Sequence, residues 1–163
     1  MNIDQLLFLI EHTELATIVR EGDWWFPLDE CLHVLSIVTV FGSILMMDLR
    51  LLGLASRDSA VTRLSKEVLP YTWIAFACAV ITGAVMFISK AKGYWHNPQF
   101  QLKFLFMALA AANMVVFHFG AFRRVADWDD APTPPAAARL AGALSISLWV
   151  IVVFFGRWIG FTM

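Results

Sequence analysis

The sequence predicts an all-α integral membrane protein, a four-helix bundle preceded by a short interfacial amphipathic helix. Of its 163 residues, 60% are hydrophobic and only 15% are charged, and the mean hydropathy is +0.69. A soluble domain has about 25% charged residues and fewer apolar ones. Four apolar stretches reach the roughly 20 residues that a helix needs to cross a bilayer. Because a segment inside the hydrocarbon must satisfy its own backbone hydrogen bonds, each stretch is expected to be helical.

Local signals set the boundaries of these helices. The predicted spans, which make residues 1–163 a single transmembrane domain, lie near 27–49, 70–89, 100–122 and 138–155. Proline is tolerated in the first turn of a helix, which places Pro70 at the start of the second span. Asn97 followed by Pro98 predicts a capped start of the third span. Before the first span, apolar residues recur at helical spacing and predict the interfacial helix: Ile3, Leu6, Leu7 and Ile10.

The basic residues near the span ends predict the orientation in the membrane. Seven lie in the loops after the first and third spans and five lie on the opposite side. Loops richer in Lys and Arg stay in the cytoplasm, so both termini are expected in the periplasm of a bacterial inner membrane. The formal net charge is −1, and no basic stripe is present, which excludes a nucleic-acid partner.

The two cysteines, Cys31 and Cys78, both lie inside apolar runs. Neither a disulfide framework nor a paired-cysteine metal site is therefore predicted. Each cysteine is interpreted as a small, buried packing residue.

The first candidate site lies near the outer ends of the spans. His33 is roughly 8–9 Å into the first span at 1.5 Å per residue, and His96 precedes the third span at the outer surface. Met86 offers a thioether at a similar depth, and Arg157 offers a positive charge. A b-type haem near the periplasmic side needs these groups: His33 and His96 as axial ligands, Met86 in reserve and Arg157 on a propionate. The structural alternatives are a helix–helix hydrogen bond for His33, solvation for His96 and snorkelling for Arg157.

The second candidate site is the pair of Asp48 and His118 near the inner face. His118 is roughly 27 Å from the outer edge, too deep to share with His33 one metal or haem iron, since axial nitrogens are only about 4 Å apart. Asp48 lies about 22 Å deeper than His33 and is expected to meet His118 as a hydrogen-bonded carboxylate and imidazole. A proton relay or an inner metal site is the functional interpretation. Neutralisation of Asp48 by Arg50 or Arg124 is the structural one.

Motifs spread over nearly the whole chain indicate a family. They comprise His33-Val34-Leu35, Gly42-Ser43-Ile44, the segment 48–54, Tyr94-Trp95-His96-Asn97-Pro98, Asn113-Met114 with Phe117, and Gly156-Arg157-Trp158-Ile159-Gly160. They resemble a bacterial family of small four-span inner-membrane proteins with a domain of unknown function. The resemblance implies that His33, His96 and Arg157 fall on motif positions, whereas the position of His118 varies. In size and span count the chain is also similar to four-helix membrane cytochromes b and, more loosely, to the membrane domain of copper-resistance D proteins.

Three functions remain open at this point. The first is a b-type haem protein that transfers electrons between quinol and a periplasmic acceptor. The second is a protein that binds or transports copper or another transition metal through His33, His96, His12 and Met86. The third is a cofactor-free accessory subunit of a larger membrane complex; a homo-oligomer is also open. No nucleophile, activated base or phosphate-cradling glycine loop supports a hydrolase or a kinase.

Overall fold

The computed structural model describes residues 2–163, and its regular structure in that range is entirely helical. The α-helices are α1 Ile3–Glu11, α2 Glu14–Glu21, α3 Trp25–Leu51, α4 Val61–Ser89, α5 Ala91–His96, α6 Pro98–Phe119 and α7 Ala136–Thr162. A 3-10 segment, Ala121–Asp127, connects α6 to α7. Helices α3, α4, α6 and α7 are long and apolar enough to cross a membrane. The predicted all-α four-span bundle is confirmed.

Helix α4 is longer than the span predicted from its apolar run. Pro70, expected in the first turn, lies inside the helix, which begins at Val61, so the expectation for Pro70 is wrong. Hydropathy marks only the part of a helix that lies in hydrocarbon, whereas α4 starts in the polar segment 62–67. Proline has no amide proton, so the carbonyl of Lys66, four residues earlier, loses its helical partner.

The start of α6 agrees with the prediction. The Asn97 side-chain oxygen accepts hydrogen bonds from the backbone N–H groups of Gln99 at 2.8 Å and Phe100 at 3.4 Å, and Pro98 lies in the first turn. The Asn97 side-chain amide also donates to the Thr162 hydroxyl at 2.9 Å. This hydrogen bond joins the start of α6 to the end of α7.

The interfacial helix is confirmed as α1, and a second short helix, α2, follows it. Leu7 of α1 is buried, with 4% of its surface exposed. The Glu11 carboxylate accepts from the backbone N–H of Lys92 at 2.9 Å. The Arg20 guanidinium donates to the carbonyl oxygens of Glu11 at 3.0 Å and Ser89 at 3.4 Å. These contacts hold both helices against α5 and the adjacent end of α4. This end of the bundle is called the outer end, and the end with the α3–α4 loop is called the inner end.

The four long helices are not all packed closely against their neighbours in the bundle. Helix α3 packs along α4, α6 packs along α7, and α3 crosses α7 between the two pairs. Within residues 2–163, α4 and α6 form no comparably extensive contact. The bundle is therefore open between α4 and α6 in the half next to the α3–α4 loop, whereas at the other end the Phe87 ring of α4 stacks on the Phe100 ring of α6, with 5.6 Å between centroids.

At the inner end, Arg50 and Asp129 join the α3–α4 loop to the connection before α7. Arg50 is 0% exposed, and its guanidinium donates to the carbonyl oxygens of Ser59 at 2.8 Å, Asp129 at 3.1 Å and Ala131 at 3.2 Å. The Asp129 carboxylate accepts from the Thr62 backbone N–H at 2.8 Å and from its hydroxyl at 2.5 Å. Burial alone would raise the pKa of Asp129, but the Thr62 hydrogen bonds and the nearby Arg50 charge hold that pKa below its ordinary value.

Gly142 allows α7 to approach α3 closely. A Cβ atom at this position would lie 3.1 Å from the carbonyl oxygen of Asp48 and 3.2 Å from the Cβ of Leu51. We expect Gly142→Ala to lower the free energy of unfolding by about 1 kcal/mol or more, because the two helices must move apart. Gly42→Ala in α3 is the matched control, since no atom lies within 4 Å of the corresponding Cβ. Thermal unfolding in detergent measures both; equal transition temperatures would contradict the close crossing.

The structure corrects the interpretation of the cysteines. Cys31 of α3 and Cys78 of α4 are both free thiols and both exposed, so the expectation that they are buried packing residues is wrong. Lipid is as apolar as the bundle interior. An apolar run in a membrane helix therefore does not indicate which of its residues face the other helices.

Candidate functional site

A cavity of 520 Å³ lies inside the bundle, in the half next to the α3–α4 loop. All four long helices line it, with residues 40–51 of α3 and 65–76 of α4 on one side. Residues 104–118 of α6 and 141–149 of α7 form the other side. Trp73 of α4 and Phe104 of α6 line the cavity and are 55% and 51% exposed, so the cavity opens to the surface of the bundle between these two helices.

The wall of this cavity is mainly apolar. Its aromatic and methionine side chains include Trp73, Phe76, Phe104, Phe117, Trp149, Met47, Met107 and Met114. Methionine is flexible and polarisable and adapts to ligands of different shape. The polar lining is limited to Asp48, Ser65, Thr72, Asn113, His118 and Ser145. A concave, mostly apolar surface with a few polar groups is typical of a small-molecule binding site.

Asp48 is the polar group of this cavity that the protein itself leaves unsatisfied. Its side chain belongs to a residue only 5% exposed, and its Oδ2 atom has no hydrogen-bond partner among residues 2–163. Over the same residues, no ion pair joins Asp48 to Arg50 or Arg124. Arg50 donates to the three backbone carbonyls described above through Nε and Nη2, and its Nη1 atom has no hydrogen-bond partner among residues 2–163. The Ser145 hydroxyl lies within hydrogen-bonding range of the Asp48 carboxylate, but the Oδ2 atom has no partner. A buried polar atom without a partner is unfavourable, so Oδ2 requires a ligand or a proton.

His118 and Asn113 present further acceptors to the same cavity. The Nδ1 atom of His118 lies 2.9 Å from the Met114 carbonyl oxygen. Because a carbonyl only accepts, Nδ1 carries the proton, and Nε2 of the neutral ring is left as an acceptor. The Asn113 amide donates to the Ala141 carbonyl at 2.9 Å. Asp48 and His118 thus line one cavity. No hydrogen bond joins them in the described part of the chain, so the expectation of a hydrogen-bonded carboxylate and imidazole is wrong.

His33 lies in the other half of the bundle, between α3 and α4. Its Nδ1 atom is 2.8 Å from the Thr82 hydroxyl oxygen, and that hydroxyl donates to the Cys78 carbonyl at 2.8 Å. Since the hydroxyl proton is used there, Thr82 accepts from the Nδ1 proton, and Nε2 is the unprotonated nitrogen. Gly83 makes room for the ring, because a Cβ atom there would lie 3.0 Å from its Cε1.

His96, the predicted partner of His33, is occupied elsewhere. It ends α5, and its Nε2 atom lies 2.9 Å from the Asp4 carboxylate of α1 on the exposed surface. This contact adds to those that attach α1 to the bundle. Among residues 2–163, no group of three or more His, Cys, Asp and Glu side chains is arranged to hold a metal ion. A shared iron or copper site of His33 and His96 stays a prediction.

Among residues 2–163, no hydrogen bond joins the remaining predicted outer residues to His33. Arg157 is exposed, and its guanidinium lies over the Phe161 ring at 5.0 Å from the centroid. Met86 is half-buried, and the His12 Nδ1 atom lies 2.8 Å from the Phe8 carbonyl oxygen. The roles predicted for Arg157, Met86 and His12 therefore stay predictions.

Lys103 is the cation that reaches the level of His33. Its Cδ, Cε and Nζ atoms lie 3.8 Å from the position of a Cβ on Gly156, so the side chain extends from α6 to α7. Its ammonium lies within electrostatic range of the His33 ring.

Sequence reasoning missed Thr82 and Gly83, the partners of His33. The available signal is the small pair itself, because Gly and Thr are enriched where membrane helices touch.

Near this site, Tyr94 of α5 packs against Phe87 and Phe100, with ring centroids 6.3 Å and 5.6 Å away. Burial, followed by the negative charges of Glu30 and Asp29, raises the pKa of the Tyr94 phenol. Tyr94 is 9% exposed, so its ring is buried against α4 and α6. Neither Tyr94 nor the two phenylalanines line the cavity that Asp48 lines.

The fold and the cavity define a multi-pass membrane protein with a lipid-accessible cavity inside its helical bundle. The chain belongs to a family of unknown function, DUF6644, whose sequence model matches residues 16–162. The match begins in α2 and includes all four long helices. No curated protein and no solved structure matches the chain. The similarity to cytochromes b and to copper-resistance D proteins is accordingly not shown.

Proposed function

We propose that this protein binds a quinol, a lipid-soluble ring that carries hydroxyl groups, in the cavity between α4 and α6. The proposal rests on Asp48, which is buried in the membrane-spanning helix α3. Its Oδ2 atom has no hydrogen-bond partner among residues 2–163. An ionisable group inside a membrane bundle is a functional candidate by default. The ligand that fits has to enter from lipid, fill an apolar wall and bring a hydrogen-bond donor to Asp48.

A quinol meets these three requirements. Its isoprenoid tail keeps it in the bilayer, its flat ring suits the aromatic wall, and its hydroxyl groups are donors. The volume of 520 Å³ lies in the range of about 300–1,000 Å³ that small-molecule sites occupy. In this arrangement the ring enters the cavity and the tail leaves through the gap between α4 and α6.

The polar groups then have separate roles. Asp48 accepts a hydrogen bond from one hydroxyl group, and the Nε2 atom of His118 is an acceptor for another. The oxidised ligand, a quinone, has only acceptors and needs a protonated Asp48 carboxyl as its donor. The protonation of Asp48 therefore selects between the two ligand forms.

Tryptophan fluorescence tests this proposal, because Trp73 and Trp149 line the cavity. We expect a short-tailed ubiquinone analogue to quench the fluorescence of the purified protein saturably, and the corresponding quinol to displace it. The saturable component is expected to be lost in Trp73→Phe/Trp149→Phe and kept in the control Trp24→Phe/Trp25→Phe. Linear, non-saturating quenching in all three proteins would contradict a specific site.

Electron transfer through a b-type haem is the second candidate function, and one observation favours it. The Thr82 hydrogen bond leaves Nε2 of His33 unprotonated, and metal-ligating histidines usually donate their other ring N–H in this way. His96 or Met86 is the candidate second ligand, and Arg157 or Lys103 the cation for a propionate. For ligation through Nε2, His96 must leave Asp4. A haem would supply one-electron exchange between quinol and a periplasmic acceptor.

The absorption spectrum of protein expressed with adequate haem decides this candidate. A reducible Soret band is expected, lost or shifted in His33→Ala and kept in His118→Ala, which lies in the other half of the bundle. Bound copper without haem would instead support the transition-metal function. If neither haem nor copper is bound, the haem and transition-metal functions are both excluded, and the accessory-subunit role remains. This outcome would not affect the proposed quinol site.

We also propose that the protein resides in a bacterial inner membrane with both termini in the periplasm. The support is the excess of Lys and Arg at the end of the bundle that holds the α3–α4 and α6–α7 connections, where these connections and the adjoining helix ends carry seven basic residues against five at the opposite end. Alkaline phosphatase, which is active only in the periplasm, is expected to be active when fused after Met163 and inactive within residues 127–135. The reverse pattern would contradict this orientation.

A further inference from the structure

A second concave surface, which we call the inner groove, lies where α6 ends and α7 begins. It encloses 770 Å³ and is lined by residues that include Phe119, Arg123, Arg124, Asp127, Trp128 and Ala137. It shares no lining residue with the cavity of Asp48. An inference about this groove is therefore independent of the proposed quinol site.

Arg123 and Arg124 give the inner groove a positive charge. Both are exposed, and among residues 2–163 neither takes part in an ion pair. Asp127 also lines the groove but is not paired with either arginine over the described residues. The lining of the groove thus contains two guanidinium groups and only one carboxylate, so its net charge is positive and complementary to an anion.

The position of the inner groove identifies the anion. Helix α6 ends at Phe119, whose side chain is 73% exposed, and Arg123 follows within the next turn. Apolar surface and guanidinium groups are therefore adjacent at the boundary of the hydrocarbon. Trp128 is of the residue type enriched at this level of the bilayer. A free anion would use the arginines alone, whereas a phospholipid uses the arginines and the apolar surface together.

We infer that the inner groove binds the headgroup phosphate of an anionic phospholipid, with its acyl chains along Phe119 and the lipid-facing side of α6. Guanidinium groups bind phosphate through paired, charge-assisted hydrogen bonds. Basic pockets between membrane helices at the cytoplasmic side are typical sites for such headgroups. A zwitterionic lipid is disfavoured, because its ammonium group would approach the same arginines.

Native mass spectrometry of the full-length protein in detergent tests this inference. Short-chain phosphatidylglycerol, short-chain phosphatidylcholine and inorganic phosphate are titrated separately. We expect saturable binding of phosphatidylglycerol, at least about tenfold tighter than phosphatidylcholine, because the choline ammonium is repelled by the same arginines. Arg123→Gln/Arg124→Gln is expected to abolish this preference.

The matched control is Arg63→Gln/Lys66→Gln, which removes the same charge from exposed residues at the same end of the bundle. This control is expected to keep the preference for phosphatidylglycerol. Equal losses in both double variants would show a general charge effect and overturn the site. Binding of inorganic phosphate at the same concentration as the lipid would overturn the lipid assignment. Unfolding of the arginine variant is checked by its thermal transition, which is expected to match that of the control.

Discussion

Asp48→Asn is expected to weaken the binding of a quinol analogue about tenfold or more, because a hydrogen bond to a charged group contributes about 1.5–3 kcal/mol. The same change is expected to raise the free energy of unfolding by about 1 kcal/mol, since it replaces a buried carboxyl group whose Oδ2 atom has no hydrogen-bond partner in the described chain by a neutral amide. Fluorescence titration and thermal unfolding in detergent measure the two effects. A loss of ligand affinity together with a gain in stability is expected for a residue that is retained for binding and not for stability.

Asp130→Asn is the control for this pair of measurements, because Asp130 is exposed and does not line the cavity. It is expected to change neither quantity. If Asp48→Asn kept its affinity for the ligand and lost stability, Asp48 would be a structural residue. That result would contradict the proposal that Asp48 binds the quinol.

Arg50→Met is expected to cause the largest loss of stability, about 3 kcal/mol, because buried carbonyl oxygens lose their donor. For a chain of this size the loss corresponds to a fall of roughly 6–12 °C in the transition temperature. Arg50 is 0% exposed and bonds the carbonyl oxygens of Ser59, Asp129 and Ala131. Methionine keeps much of the side-chain volume but offers no donor.

Arg63→Met provides the comparison for Arg50→Met. Arg63 forms an exposed ion pair with Glu67 at 3.0 Å, and such pairs contribute about 0.5 kcal/mol or less. Its transition temperature is expected to stay within a degree or two of the wild type. Equally small effects of both substitutions would show that the inner connections do not depend on Arg50.

The fold was predictable because its determinants are local. Run length and hydropathy identify the four membrane helices, and Asn97 followed by Pro98 identifies a helix start from adjacent residues. The start of α4 was missed because its first turns are polar and Pro70 resembles a boundary. The exposed Cys31 and Cys78 were misread for a related reason: hydropathy does not separate lipid-facing from helix-facing positions in a bundle.

The candidate sites were predictable in depth but not in direction. Residue number gives the depth of a side chain along a helix, and this correctly grouped Asp48 with His118 in one half of the bundle. The direction of a side chain around the helix, and the path of a loop, depend on packing between distant segments. For that reason His96 faces Asp4 of α1, and Arg157 faces Phe161. The cavity follows from the gap between α4 and α6, which no local pattern encodes.

Photo-cross-linking of the protein in lipid vesicles tests the quinol site most directly. A photoreactive ubiquinone analogue is activated by light, and the labelled residues are mapped by mass spectrometry. Labels are expected on Trp73 and Phe76 of α4 and on Met107 and Met114 of α6, which line the cavity. Excess unlabelled quinol and the Asp48→Asn substitution are both expected to suppress them. Labels spread over outward-facing residues such as Val150 and Phe161, unaffected by competitor, would contradict the account.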